Sequence, residues 1–393
     1  MDIIKKFGDM VGEESIRNPE KARKLLLTGY RLQEKRLQLF PDRKLPASGQ
    51  YVARVVMQNI IKALAKPDDT ALVSIFVPGE LLTAAGITPY SVEAMSCFIA
   101  GTRCEQAFLA QTESEGFPET MCSYHRVFLG ASMTGLVPKP KCTIYTNLAC
   151  DGNMMTFPYL KQKYQIPGFY IDVPYEKIQD SISYVADQLR EMKKFLEDVG
   201  GKKISEQSVQ RAVANSNEAA SYYSSQLALR KDHDPVTSLT NELYAIFMCH
   251  LLAGSEESLK YTKMLLEDVK KAPKGEGLHI LWMHMMPFLQ EPVKDVFNYS
   301  QNVHIRACDF VAVRFSADAG LGSLRGPCGK NGQLHLQRKC EAEDPACPGA
   351  GEPYRGRRRD PFCTLGLQGN HRSFQPDQKF SGKCRTSNHG PGR

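Results

Sequence analysis

Three cysteines between residues 78 and 130 are the side chains best suited to chemistry, namely Cys97, Cys104 and Cys122. Cys122 lies four residues after Pro118, where the pattern predicts the first turn of a helix. A thiol in that position meets the positive end of the helix dipole and free backbone N–H groups, and both favour a thiolate. Thiolates bind iron and zinc. The alternative is that each cysteine is a small buried side chain, which is the usual state of a free thiol.

The spacing of the first two cysteines favours only one of them as a metal ligand. Residues 92–111 are predicted to form one helix that carries both Cys97 and Cys104. Seven residues place the two thiols on one face but two turns apart, about 10 Å, which is too far to share one metal site easily. Cys97 directly follows a predicted strand and loop, so it is the preferred candidate, and Cys104 is assigned to the core.

The elements around these cysteines alternate between strand and helix. Four short apolar segments are predicted to be strands, at residues 71–77, 87–90, 142–147 and 169–173. This alternation predicts an α/β fold with a parallel, doubly wound sheet, whose ligands bind beyond the carboxyl ends of the strands. Five residues fall at or after such ends: Cys97, Cys122, Asn147, Cys150 and Asp151. For Asp151 and Asn153, ordinary turn formation is an equally good interpretation.

Four regions follow from the whole pattern. They are a helical segment at 1–70, a first α/β domain with the candidate cysteines at 71–200, a helical segment with the start of a second α/β domain at 201–310, and an irregular basic tail at 311–393. The second domain is predicted to begin with strands at 278–285 and 303–309. His279 and His284 lie five residues apart beside a strand and would face opposite sides, so they are not predicted to form a metal pair.

Five short motifs, in order, resemble one protein family. The motifs are Pro78-Gly-Glu-Leu-Leu-x-x-Ala-Gly-Ile, Pro89-Tyr-x-x-Glu93, Cys122-Ser-Tyr-x-Arg-x-x-x-Gly130, Thr146-Asn147-x-x-Cys150-Asp151-Gly152-Asn153 and Ile171-Asp172-Val173-Pro174-Tyr175. Together they resemble the catalytic subunits of the 2-hydroxyacyl-CoA dehydratases, relatives of benzoyl-CoA reductase. The resemblance covers about a hundred residues and continues weakly to residue 310, and it implies two Rossmann- or flavodoxin-like domains.

The resemblance also implies a cofactor, a reaction and partners. It implies a [4Fe–4S] cluster held by three cysteines, with Cys97 and Cys122 as two of them and Cys104 and Cys150 as weaker alternatives. One iron is then free of cysteine, as suits a catalytic site. The implied reaction is dehydration of a 2-hydroxyacyl-CoA to an enoyl-CoA through a ketyl radical. The implied partners are the acyl-CoA, a homologous second subunit and an ATP-dependent iron–sulfur activator. The chain has no GxxxxGK[ST] loop, which agrees with ATP being used by a partner.

Charge and composition narrow the class of protein. The net charge of +7 comes entirely from residues 311–393, which hold 14 Lys and Arg against 7 Asp and Glu, so the body of the chain is neutral and no nucleic acid is expected as a partner. There is no run of about 18 apolar residues and no signal-peptide pattern at the start, so we expect a cytoplasmic protein without a membrane span. Twelve cysteines in a cytosolic chain indicate metal or redox use rather than a disulfide framework, and the absence of paired CxxC motifs argues against a zinc ribbon.

The tail differs in composition from the rest of the chain. All 14 Met precede residue 287, and the last Ile is Ile305. We interpret the tail as a frameshifted translation. Residues 365–374 are compatible with codons that read Trp-Gly-Cys-Lys-Glu-Thr in another frame, close to a motif expected for the family. The third cluster ligand is therefore predicted near Leu367 and is lost in this frame. On this interpretation Cys328, Cys340, Cys347, Cys363 and Cys384 are accidental.

Two other functions stay open from the sequence. One is a non-catalytic iron–sulfur or assembly subunit, which the missing third ligand would favour. The other is a thiol-redox or structural protein without a cluster. A brown, sulfide-containing anoxic preparation would exclude the second.

Overall fold

Three helices form the N-terminal region of the computed structural model, which describes residues 2–176 and 178–311. They are α1 (Ile3–Arg17), α2 (Pro19–Leu39) and α3 (Ala47–Ala65). The Asp2 side chain accepts hydrogen bonds from the first turn of α1, and Asn18 does the same for α2, which begins with a proline at its first position. Neighbouring side chains therefore fix where α1 and α2 begin. The three helices lie within the helical segment predicted at residues 1–70.

The first sheet has four parallel strands in the order β2-β1-β3-β4. The strands are β1 (Thr70–Val73), β2 (Thr88–Ser91), β3 (Cys142–Thr146) and β4 (Gly168–Ile171). The central strands β1 and β3 are almost entirely buried, as expected for a parallel sheet covered on both faces. This confirms the predicted α/β class. β1, β3 and β4 end one to four residues before their predicted limits, and β2 ends one residue after its own.

Five helices connect these strands, and the prediction of a single helix at one place was wrong. They are α4 (Gly79–Ala85), α5 (Val92–Gly101), α6 (Glu105–Ser114), α7 (Ser123–Met133) and α8 (Asn153–Tyr164). The single helix predicted over 92–111 is instead α5 and α6, because the chain breaks after Gly101. Arg103 there takes a left-handed conformation with φ of 61°, and Thr102 donates its hydroxyl to the Ile99 carbonyl at 2.6 Å. Cys97 and Cys104 thus do not share one helix.

The middle of the chain is helical, as predicted. It consists of α9 (Gln179–Gly200), α10 (Glu206–Leu229), α11 (Leu239–Leu251) and α12 (Glu256–Lys271). Ser205, Ser238 and Ser255 each accept a hydrogen bond from a backbone N–H in the first turn of the following helix. Gly201, with φ of 65°, ends α9 in the left-handed conformation that glycine adopts readily.

A second parallel pair of strands follows. It consists of β5 (Leu278–Trp282) and β6 (Val303–Cys308), with α13 (Glu291–Phe297) between them. This is the predicted start of the second α/β unit. The predictions for residues 312–393, including the ligand near Leu367, lie outside the described residues. Within the described ranges, no helix is both long and apolar enough to cross a membrane.

Replacement of Gly130 by alanine should destabilise the contact between α6 and α7. A Cβ at this position would lie 2.0 Å from the backbone carbonyl oxygen of Phe108, so the two helices would have to separate. We expect Gly130→Ala to lower the free energy of unfolding by about 1–3 kcal/mol, measured by urea denaturation. Gly101→Ala is the matched control, since nothing lies within 4 Å of its added Cβ. Equal unfolding midpoints for both variants would contradict this packing.

Candidate functional site

Cys122 lies immediately before α7 and is exposed. Sequence analysis predicted it inside the first turn, but the helix begins one residue later, at Ser123. The carbonyl of Cys122 accepts the first helical hydrogen bond, from the N–H of Arg126 at 3.0 Å. The thiol is therefore still at the positive end of α7, where a negatively charged ligand is favoured.

Cys150 lies in the loop after β3, near Cys122. Burial raises the pKa of the Cys150 thiol to about 12, and the charges of Glu93 and Cys122 raise it further. The two thiols are thus near enough to interact electrostatically. The loop fits closely at this point, because a Cβ on Gly152 would lie 3.3 Å from the Cys150 sulfur and 3.1 Å from His125 Nε2.

His125 is a buried partner of Cys150 that sequence analysis did not single out. Its Nε2 lies 3.3 Å from the Cys150 sulfur, and its Nδ1 lies 2.7 Å from the Thr156 hydroxyl. Burial lowers the pKa of His125 to about 4, so the imidazole is neutral and has a single N–H. That N–H lies either on Nδ1, facing the Thr156 hydroxyl, or on Nε2, facing the Cys150 sulfur. The only sequence signal for His125 is its position three residues after Cys122.

Cys97 is enclosed within α5, with 2% of its surface exposed. Burial raises the pKa of the Cys97 thiol well above its usual range, and the thiol is hydrogen-bonded to the Tyr124 side chain. Tyr124 also interacts with Cys122 and Glu93, so Cys97 borders the same site from the inside. Cys104 is buried elsewhere, where its sulfur contacts the Thr102 hydroxyl at 3.1 Å and donates to the Ile99 carbonyl at 3.4 Å.

Glu93 brings a buried carboxyl group near the thiols of Cys97 and Cys150. It lies in the first turn of α5 and is 8% exposed, and burial raises its pKa. Within the described part of the chain, its Oε2 atom has no hydrogen-bond partner. A buried polar atom without a partner is costly, so this oxygen is suited to a ligand that the protein binds.

The remaining predicted residues build the loops around the site. Asn147 donates to Asp172 at 3.0 Å and accepts from the N–H of Val173 at 2.9 Å, which joins the loops after β3 and β4. Asn153 donates to the Thr146 carbonyl at 3.1 Å, and Asp151 is exposed. The turn-forming interpretation therefore accounts for Asn153.

Comparison of the sequence with protein-family profiles identifies the family of this chain. The profile of the family described as 2-hydroxyglutaryl-CoA dehydratase, D-component, matches residues 74–319, which is well over half of the chain. The chain belongs to this family. The resemblance inferred from the five motifs is thereby confirmed, and the matched range contains Glu93 and all of Cys97, Cys104, Cys122 and Cys150.

Two curated relatives are similar over the same part of the chain. The (R)-phenyllactyl-CoA dehydratase alpha subunit of Clostridium sporogenes is 25% identical over 248 residues, which cover 58% of this chain and 60% of the relative. The (R)-2-hydroxyisocaproyl-CoA dehydratase alpha subunit of Clostridioides difficile is 23% identical over 229 residues, which cover 53% and 56%. The chain thus spans a little over half the length of these relatives.

Alkylation should separate the two adjoining thiols in protein prepared without iron. At pH 8, iodoacetamide should modify exposed Cys122 first, whereas Cys150 should react far more slowly, because a pKa of about 12 leaves little thiolate. The Cys150 rate should rise about tenfold per pH unit up to pH 11. Mass spectrometry of the peptides measures both rates, with buried Cys249 as a control. Equal rates for Cys122 and Cys150 at pH 8 would contradict the described environment.

Proposed function

We propose that this chain is a subunit of a [4Fe–4S]-dependent dehydratase that converts a 2-hydroxyacyl-CoA to an enoyl-CoA. One observation carries the proposal: two chain segments 28 residues apart bring Cys122 and Cys150 together at the carboxyl edge of a parallel sheet. Ligands of such sheets bind at this edge. Family membership, and relatives named as dehydratase alpha subunits, supply the reaction class.

The donor set at this edge fits an iron–sulfur cluster. Cysteine thiolates are the usual ligands of such clusters, and Cys122 and Cys150 are the two we propose. The third ligand is expected near Leu367, outside the described residues, and only in another reading frame, so the sequence as written supplies two of the three. Cys97 stays a prediction from the sequence, but its enclosure and its hydrogen bond to Tyr124 make Cys150 the better partner for Cys122.

A bound cluster would supply a single electron for the thioester and an iron with an open coordination position. The side chains around it would control protons and polarity. His125 would donate its N–H to the Cys150 sulfur and stabilise the negative charge on it. Glu93, whose pKa is raised by burial, would hold a proton beside the site and give it to the departing hydroxyl group from Oε2.

The proposed partners follow from the same reaction. A low-potential electron has to be delivered to the site, and the chain has no phosphate-binding GxxxxGK[ST] loop with which to use ATP itself. We therefore assign electron delivery to a separate ATP-dependent iron–sulfur activator. A homologous second subunit would complete the enzyme, in keeping with the alpha-subunit names of the relatives.

A second candidate function is a non-catalytic iron–sulfur or assembly subunit. The observation that favours it is in the sequence, because the only tryptophan is Trp282 and the expected Trp-Gly-Cys-Lys motif is absent from residues 311–393 as written. A chain with two of three ligands would hold a cluster weakly or serve a partner.

The cluster ligands can be identified by iron and acid-labile sulfide content after anoxic reconstitution. We expect Cys122→Ser and Cys150→Ser each to lose most of the bound iron, because each removes a thiolate ligand. Cys97→Ala should keep it, and Cys249→Ala, which removes another buried thiol, is the matched control. Loss of iron in Cys97→Ala with retention in Cys150→Ser would instead restore the assignment made from the sequence.

Activity separates the two candidate functions. The reconstituted chain, combined with a homologous subunit, an activator, ATP and a reductant, should release enoyl-CoA from a 2-hydroxyacyl-CoA. Glu93→Gln, which removes the proton donor, should lower kcat at least about a hundredfold, while iron content stays unchanged. A chain that binds iron but forms no enoyl-CoA would favour the non-catalytic subunit. A Glu93→Gln variant with full activity would exclude the proposed role of the carboxyl group.

A further inference from the structure

Asp234, His279 and His304 converge at the second sheet, far along the chain from the cysteines. His279 on β5 and His304 on β6 are paired in register, and their rings stack at 5.2 Å with an angle of 24° between the planes. Asp234 precedes α11, and its N–H donates to the Pro273 carbonyl at 2.9 Å. One nitrogen from each histidine and one carboxylate oxygen all lie within 4.8 Å of one another.

The separation within this group suits a bridging metal ion as well as a proton. His279 Nε2 and Asp234 Oδ2 are 3.2 Å apart. Two ligands of a tetrahedral zinc ion, each about 2.0 Å from the metal, are about 3.3 Å from one another. An ion could therefore replace the proton between these atoms without a large movement of either side chain.

At Gly275 the backbone approaches Asp234 and His304 closely. Its N–H donates to Asp234 Oδ2 at 2.8 Å. A Cβ at this position would lie 2.4 Å from His304 Nε2 and 3.0 Å from Asp234 Oδ2, so a side chain here would collide with the His304 ring and crowd the Asp234 carboxylate. Glycine avoids both contacts.

Arg306 contacts both oxygens of Asp234. Its Nε lies 3.0 Å from Oδ1 and its Nη2 donates to Oδ2 at 3.3 Å, and the aspartate side chain is only 2% exposed. Metal-binding carboxylates are commonly held in this way by an outer partner. His304 Nε2 lies 3.0 Å from the Glu276 carbonyl, which accepts its N–H and fixes the ring, so His304 would bind an ion through Nδ1. His279 is 30% exposed, so an ion and a water ligand can reach the group from solvent.

We propose that Asp234, His279 and His304 bind a divalent transition-metal ion of the zinc class. Two imidazoles and one carboxylate are the donors that Zn²⁺, Co²⁺ and Ni²⁺ prefer over Mg²⁺ and Ca²⁺. Three protein ligands leave a position for water. The site is independent of the proposed iron–sulfur function, because none of its ligands is a cysteine. The competing interpretation is a hydrogen-bonded group that only ties the segment before α11 to the second sheet.

Titration with Co²⁺ tests this site in the full chain. The background is Cys122→Ser/Cys150→Ser, so that these thiols cannot bind the ion. We expect one equivalent of Co²⁺ with visible bands of tetrahedral or five-coordinate geometry, no intense thiolate band, and displacement by Zn²⁺. His279→Asn should weaken binding at least tenfold.

His284→Asn is the matched control. His284 is also exposed, but its backbone N–H bonds to Asp309 and it lies outside the group. Asparagine tolerates its left-handed conformation, with φ of 70°. This variant should bind Co²⁺ as the background does. Absence of a stoichiometric Co²⁺ spectrum, or equal affinity in His279→Asn and the background, would overturn the proposal, and neither result depends on iron loading.

Discussion

The parallel pairing of β1 with β3 is the constraint on which the candidate site depends. Val73 lies opposite Ile144 in register, and Ser74 extends the connection by donating its N–H to the Ile144 carbonyl at 3.1 Å. Because both strands run in the same direction, their carboxyl ends open at one edge of the sheet. The loop after β3 carries Cys150 to that edge. The helices α5 and α7 pack against each other there and bring Glu93 and Cys122 to the same place.

Burial sets the chemistry of the groups at this edge. The low-dielectric surroundings raise the pKa values of Cys150 and Glu93 and lower that of His125, so burial favours the neutral form of each group. A bound metal cation would favour the thiolate form of the cysteines, which burial alone disfavours. The site is thus arranged so that its charge depends on what it binds.

Asp234 is also buried, but its negative charge is balanced by neighbouring groups. Its carboxylate is as buried as the Cys97 thiol, but it is balanced by Arg306 and by hydrogen bonds from Gly275 and His279. These partners come from the loop before β5 and from both strands of the second sheet. The carboxylate therefore ties the helical middle of the chain to the second α/β unit, whether a proton or a metal ion lies between it and the histidines.

The sequence by itself determined the local elements and the family. Serine and asparagine caps, Pro19 and Gly201 fixed helix ends through backbone bonding, and short apolar runs located every strand within a few residues. The motifs also placed Cys122 at a helix start and Glu93 in the same region. Tertiary structure decided which groups meet. Periodicity did not reveal the break at Arg103, because a single left-handed residue leaves the apolar pattern unchanged.

The approach of Cys150 to Cys122 and His125 depends on how two loops meet across a sheet edge. No spacing along the chain encodes that distance. The same reason hid the group at the second sheet, where Asp234 and His304 are brought together from distant segments by strand pairing and by a glycine that leaves room beside them.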